Sequence, residues 1–447
     1  MPYFKPTVIA KFKELSVFKT VFNFIFKNYF QRTLLVTILS IFTSFSEIIG
    51  VLSIVPIFLI ITGEEIANEG FLGTVYNFFD SMGLTENLLI ILSFFVLALL
   101  VKSLIKLINT VYIANTSALI AKQYRLKILD SVFAAKWAYF VTKKTGALAN
   151  TMASEPEKAG KIYLNFIVFI SAFIQLLIYS SVSLATSTLI TLSGVLFAIF
   201  LFFIILVFHN SLVHFVKAQW GGIKTLSERL TECLLLFKPI KAMQSGLAIK
   251  GMLGNLAKKI ELFHKKEIFL GSFLTLMQEP MIAIFICVFL YSSVMVFSFE
   301  AVQIVFLIFV FYKLMTHITI LNASYLKIIR LYKFLKSMLD TIEEAGNNKE
   351  MWKGNATKQL KSNITFNNVT FKYTKRSIIQ NLSIKLKSKQ ITTFCGPSGC
   401  GKTTVVDLIM GLFQPNSGEI LIDNTPLNKI NIKYWRKQIG YVPQETI

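Results

Sequence analysis

The chain has 447 residues, 54% of them hydrophobic and only 16% charged, with a formal net charge of +22. That length allows roughly two or three domains, and so apolar a composition excludes an ordinary soluble protein. The surplus of Lys and Arg is therefore a question of membrane sidedness before it is one of nucleic-acid binding, because the inner flanks of membrane spans collect basic residues.

Residues 1–32 set Lys5, Lys11, Lys13, Lys19, Lys27 and Arg32 among many aromatics, the pattern of an interfacial helix on the inner leaflet. A signal peptide fits poorly, because no small-residue cleavage site follows a short apolar core. Thr33 to Gly63 carries one charge, Glu47, and is long enough to span with tilt. Residues 62–88 hold Glu64, Glu65, Glu69, Asp80 and Glu86 without Lys or Arg, and read as an outside loop. A second span follows to about residue 118, with Lys102 and Lys106 placed to snorkel. Residues 119–161 are basic again. Ile162 to Val216 then has no charged residue at all. As one helix it would be about 80 Å long against a hydrocarbon core of about 30 Å, so it must double back, near Ala185–Thr188. After the basic residues 217–267, another pair of spans turns near Phe297–Glu300. The expected spans are 33–62, 88–118, 162–185, 189–210, 268–297 and 301–322, six in all, with both termini inside.

The basic stretches 119–161 and 217–267 are too long for simple turns. They read as helices prolonged into the cytosol and ending in short transverse pieces, with breaks near Gly146 and Pro156 in the first and near Pro239 and Gly246 in the second. Residues 341–362 are polar and aperiodic, a linker. From Asn363 the period becomes two (Ile364, Phe366, Val369, Phe371), a strand signal. Ile391–Cys395 reads as a buried strand and Val405–Met410 as a helix. Between them stands Gly396-Pro397-Ser398-Gly399-Cys400-Gly401-Lys402-Thr403-Thr404. Strand, glycine loop and helix in that order make G-x-x-x-x-G-K-[ST] a phosphate-binding loop. Glycines let backbone N–H groups curl around phosphate oxygens, and the helix start aims its positive end at the same anion. Lys402 would reach the β and γ phosphates, and the Thr403 hydroxyl would sit on Mg²⁺. The chain is expected to bind a nucleoside triphosphate.

Six spans, long basic excursions and a C-terminal nucleotide domain together resemble a half-transporter of the ABC exporter family. The resemblance implies a multi-pass α-helical membrane domain followed by a partial α/β P-loop NTPase domain at 363–447. Tyr373, in Phe371-Lys372-Tyr373, is similar to the aromatic residue that stacks on adenine in this family. Ser417-Gly418-Glu419-Ile420 matches the strand after the first helix. Gln444, in Gly440-Tyr441-Val442-Pro443-Gln444-Glu445, is similar to the glutamine that reaches Mg²⁺ and the attacking water. Glu47-Ile48-Ile49-Gly50 with Pro56 resembles flippases of lipid-linked oligosaccharides. The implied cofactors are ATP and Mg²⁺, and the implied partners are the bilayer and a second half-transporter, identical or not. The implied location is the inner membrane, with the nucleotide domain in the cytoplasm. The sequence ends at Ile447, so the family's signature loop, Asp-Glu pair and switch histidine have no counterpart in it. The expectation is that this chain alone does not hydrolyse ATP. A non-catalytic nucleotide-binding remnant and a peptide or bacteriocin exporter are the alternatives.

Glu47, near mid-span, is either a substrate contact or a polar contact inside the bundle. Glu279, before Pro280, is a second such candidate, and the proline should kink its helix. The basic residues around Lys238 and Lys241 read as a solvated inside loop, not a nucleic-acid surface. Cys233, Cys287, Cys395 and Cys400 lack metal spacing and read as reduced. The four histidines share no ligand spacing.

Overall fold

The computed structural model describes residues 8–62, 71–143, 145–186, 188–295, 301–373 and 377–442. Its helices are α1 (Val8–Leu52), α2 (Ile54–Thr62), α3 (Phe71–Ser81), α4 (Leu88–Phe133), α5 (Trp137–Thr142), α6 (Thr145–Thr186), α7 (Thr188–Leu235), α8 (Phe237–Ala242), α9 (Gly246–Leu276), α10 (Gln278–Met295), α11 (Ala301–Asn347), α12 (Lys402–Ile409) and α13 (Ile432–Arg436). Four strands complete it: β1 (Asn363–Lys372), β2 (Ser377–Lys387), β3 (Ser417–Ile422) and β4 (Thr425–Pro426). The chain divides into two compact units, residues 1–126 with 149–339, and residues 127–148 with 340–447.

The first unit is the helical bundle. Among the described residues, five helices are long and apolar enough to cross a membrane: Val17–Thr62, Leu88–Phe133, Leu148–Thr186, Gly246–Ser292 and Ala301–Asn347. α7 contributes a shorter apolar stretch, Thr191–Leu201. Helix α1 kinks at Tyr29, whose φ of −134° is not helical, close to the expected passage from interfacial segment to span.

The bundle is patterned inside out. On α4 the apolar residues Leu97, Leu100, Leu104 and Leu107, at helical spacing, are exposed, as a lipid-facing stripe requires. The same helix buries Asn109 and Thr116. Asn109 donates to Ser40 Oγ at 3.0 Å, and Ser40 and Ser171 hydroxyls pair at 2.8 Å, joining α1, α4 and α6. Other hydroxyls return to their own helix: Thr33 to the Tyr29 carbonyl, Thr43 to Leu39, Ser44 to Ser40. Close approach of α4 and α6 needs Gly160, where a Cβ would fall 2.4 Å from the Ser117 carbonyl oxygen.

Three expectations need correction here. The acidic stretch 62–88 is not a simple loop, since it contains α3. That helix buries Leu72, Val75 and Phe79 at i, i+3 and i+7, and polarity alone hid the spacing. Pro156 does not break the first excursion. It lies inside α6 on a buried face with Glu155, Ala159 and Ile162, where packing outweighs the missing N–H. The linker begins later than expected, because α11 runs to Asn347. Leu335, Met338 and Ala345 keep a buried helical stripe beneath the polar residues. The tips of the two excursions carry the short helices α5 and α8. The hairpin Phe297–Glu300 and the end of the outside stretch nearest Gly63 lie outside the described residues.

The second unit joins α5 and the end of α11 to a small sheet in the order β2-β1-β3-β4, antiparallel throughout. The buried positions of β1 shift parity, from Ile364 and Phe366 to Val369 and Phe371. The shift falls on a bulge at Asn367–Asn368, where Asn368 takes φ +47°. β3 and β4 are joined by Asp423-Asn424, both at positive φ (45° and 69°), a type I′ hairpin with the residue types it favours. Its Asp423 carboxylate accepts the backbone N–H groups of Lys361 (2.6 Å), Ser362 (2.7 Å) and Asn363 (2.7 Å), fixing the start of β1. Phe366, Val369, Leu408, Ile420, Ile422 and Trp435 lie in one core beneath.

The segment Ile391–Cys395 forms no strand, and Ile391 is 98% exposed. Among the described residues no strand lies beside it. A buried parallel strand needs neighbours on both edges to take its backbone bonds.

Partial desolvation opposes ionisation of Asp423, but the three N–H bonds outweigh it and hold its pKa below the usual carboxylate range. A depressed folded pKa gives stability that is present above the unfolded value of about 3.9 and is lost as pH falls through the folded value. Asp423→Asn should weaken the sheet domain by on the order of 1 kcal/mol at neutral pH. Hydrogen exchange of the β1 and β3 amides should show the gap to wild type closing as pH drops below about 4.

Candidate functional site

The glycine loop lies in the second unit, between Ile391–Cys395 and α12. Gly399 and Gly401 take φ of +81° and +100°, a region closed to most side chains. Gly401 is the N-cap of α12 and offers no side chain, so the first-turn N–H groups are left without a side-chain cap. The Lys402 ammonium turns back over the loop and donates to the Gly396 and Pro397 carbonyls at 2.8 and 2.9 Å, with Cys400 Sγ at 3.7 Å. The Lys402 ammonium beside uncapped helix-start amides makes a cup for an anion of phosphate size. Ser398 and Thr403 are exposed at its rim, and Thr404 is buried on the first turn of α12.

Tyr373 reaches this loop from the end of β1. Its hydroxyl lies 3.2 Å from Thr404 Oγ1, and its half-exposed ring stands edge-on to Phe371 (5.0 Å) and Phe413 (5.1 Å). Two residues 31 positions apart in sequence thus meet at the cup, with an aromatic face held beside it. Gln444 lies outside the described residues.

The far end of α12 is held by residues to which the sequence pattern gave no role. Trp435 Nε1 donates to the Ile409 carbonyl at 2.8 Å. Arg436 Nε donates to the Met410 carbonyl at 3.0 Å, and its Nη2 to the Gly411 carbonyl at 2.7 Å. The same guanidinium grips Glu350 with both terminal nitrogens, at 2.9 and 2.5 Å. Residues next to Glu350 reach the first excursion. The Glu350 N–H donates to the Ala134 carbonyl at 2.8 Å, the Lys136 N–H to the Asn348 carbonyl at 2.8 Å, and Lys143 Nζ meets Glu344 at 2.5 Å. That ion pair, more than partial burial, raises the Lys143 pKa above its ordinary value. A polar chain therefore runs from the orphan carbonyls of the glycine-loop helix, through Arg436 and Glu350, to the turn that bears α5. A cavity of about 180 Å³ beside it, lined by Lys136, Glu350, Trp352 and Phe413 among others, is too small for a nucleotide.

The two membrane candidates separate. Glu279 is exposed in the first turn of α10, where the α9–α10 break at Met277 replaces the expected proline kink. Glu47 is buried, and its Oε1 accepts Lys102 Nζ at 2.8 Å and Lys313 Nζ at 2.7 Å. Lys102 therefore turns inward to a carboxylate instead of snorkelling. His317, one turn beyond Lys313, stacks on Tyr179 at 5.4 Å. Sequence reading assigned neither histidine nor lysine to Glu47, since the three helices meet only in three dimensions.

Comparison with known proteins agrees with this geometry. The ABC transporter family pattern matches residues 379–447. ABC transporter B family member 26, chloroplastic, of Arabidopsis thaliana is 38% identical over 96 residues, 21% of this chain and 14% of its own length. The uncharacterized ABC transporter ATP-binding protein YfiB of Bacillus subtilis is 36% identical over 110 residues, 24% of this chain and 19% of its own. The matched stretches thus take in less than a fifth of either relative. In fold, a bacterial Atm1-family ABC exporter with ATP bound superposes with a TM-score of 0.74 at 14% identity, over 93% of this chain and 72% of that one. Residues 379–447 therefore match the ABC transporter family, and the chain shares the fold of an ABC exporter.

Proposed function

We propose that the chain is one subunit of an ATP-driven exporter or flippase of the inner membrane, working as a dimer on a lipid-linked or amphipathic substrate. The observation that carries this reading is the cup: Lys402 poised over Gly396 and Pro397 at the uncapped start of α12, in a chain whose other unit is a bundle of membrane-length helices. The amides of Gly399–Thr403 and the Lys402 ammonium would hold the β and γ phosphates of ATP. The Thr403 hydroxyl, and Gln444, would hold Mg²⁺, which when bound neutralises phosphate charge. The ring of Tyr373 would carry the adenine. The basic excursions support a cytoplasmic side for the nucleotide domain.

The same reading gives the polar chain from α12 to α5 a purpose. A phosphate drawn onto the start of α12 pulls on a helix whose other end is tied by Arg436 and Glu350 to the first excursion. Movement of the nucleotide loop would thus be passed to the first excursion through hydrogen bonds.

Two outcomes check these statements. Purified protein reconstituted in nanodiscs should bind a fluorescent ATP analogue with Mg²⁺, and Lys402→Ala should weaken that binding about tenfold or more, since an ammonium–phosphate contact exceeds about 1.4 kcal/mol. Equal affinity in the two proteins would remove the cup from the function. Arg436→Ala should free two carbonyl acceptors and one carboxylate. Hydrogen exchange at the end of α12 should then quicken by an amount equivalent to about 2 kcal/mol, while Lys402→Ala leaves that region unchanged.

A further inference from the structure

The bundle holds a charge imbalance that its own residues do not settle. Glu47 is the only Asp or Glu in the expected spans 33–62, 88–118, 162–185 and 189–210, and two ammonium groups, Lys102 and Lys313, converge on its single oxygen Oε1. Lys106 stands one turn from Lys102 on the same face of α4, within electrostatic reach of His317. One carboxylate balances one ammonium, so positive charge is left over in a layer where an unmatched cation is costly. The two sides of the triad are not equally closed. The Glu47 side chain is 6% exposed, whereas those of Lys102 and Lys313 are 19% and 22% exposed. The carboxylate is sealed beneath the lysines, and the lysines keep an open side. Beside them His317 is 6% exposed, with neither ring nitrogen hydrogen-bonded. Buried polar nitrogens without partners are rare in a finished core.

We propose that Lys102 and Lys313 form the seat for the anionic group of the transported molecule, a phosphate or a similar acidic group, with Glu47 as the pedestal that holds the two lysines in place and His317 buried beside them. Glu47 then does not meet the substrate, and the specificity of the bundle is for negative charge. This rests on the exporter reading above and narrows its substrate to acidic amphiphiles or acidic solutes. Lys102 comes from α4, Lys313 and His317 from α11 and Glu47 from α1, so any relative motion of these helices opens or closes the seat.

The test is equilibrium binding to the full-length protein in phosphatidylcholine nanodiscs, using farnesyl phosphate, farnesol and inorganic phosphate as probes. Wild type should bind farnesyl phosphate about tenfold or more tightly than farnesol, the worth of one retained ion pair. Lys102→Gln leaves a one-to-one Glu47–Lys313 pair, so it should fold, and it should lose that preference. Lys313→Gln is the second variant of the same kind. Glu47→Gln should keep or strengthen the preference, because the Gln carbonyl oxygen can still accept from both lysines while one ammonium loses its counter-charge. Competition by inorganic phosphate would assign the seat to a soluble acidic substrate, and its failure to compete, to the headgroup of an amphiphile. Equal binding of farnesyl phosphate and farnesol, or a preference that survives both lysine variants, overturns the proposal. Lys402-dependent binding of the ATP analogue in the same preparation reports separately on the exporter reading.

Discussion

The bilayer gives a peptide group nothing to bond to. Every N–H and C=O inside it must therefore be satisfied by the chain itself. This constraint produces helices of forty residues and more, α1, α4, α6, α7 and α11, in a chain of ordinary size. It also explains why threonine and serine hydroxyls in α1 fold back on their own helix, and why polarity is gathered inward. Ser40, Asn109 and Ser171 tie three helices together with hydrogen bonds where hydrophobicity supplies no force between them. The basic excursions are what remains of those helices once they leave the hydrocarbon.

Hydropathy and charge bias made the bundle legible, because both report directly on the solvent that each stretch faces. They failed where amphipathic spacing lay beneath polar residues. In α3, Leu72, Val75 and Phe79 sit among polar neighbours. At the end of α11, Ala345 is buried beside Glu343 and Glu344. The sheet was legible from alternation, while the bulge at Asn367–Asn368 emerged only in the structure. Ile391–Cys395 shows the opposite limit. Its apolar run suggested a strand, yet a strand exists only when neighbours accept its bonds.

The site divides in the same way. The glycine loop was legible because a contiguous string, with its flanks, encodes the geometry of an anion cup. The groups that hold the far end of its helix were not. Trp435, Arg436 and Glu350 act through carbonyls 25 or more residues away, or across 86 residues for the ion pair, and no local pattern announces such contacts. Glu47 lay between the two cases. A lone carboxylate in an apolar span marked a place of interest, and its lysine partners on α4 and α11 fit the second of its two expected readings, a polar contact inside the bundle.

Gly160 constrains how this chain can vary. A single methyl group there would land on the Ser117 carbonyl, which is backbone and cannot swing aside. Alanine at that place would force α4 and α6 apart along their shared length. Homologues that keep glycine can retain the same helix spacing, and those that have lost it must have rebuilt the hairpin. One position thus serves as a marker of shared packing where overall identity has drifted too low to inform.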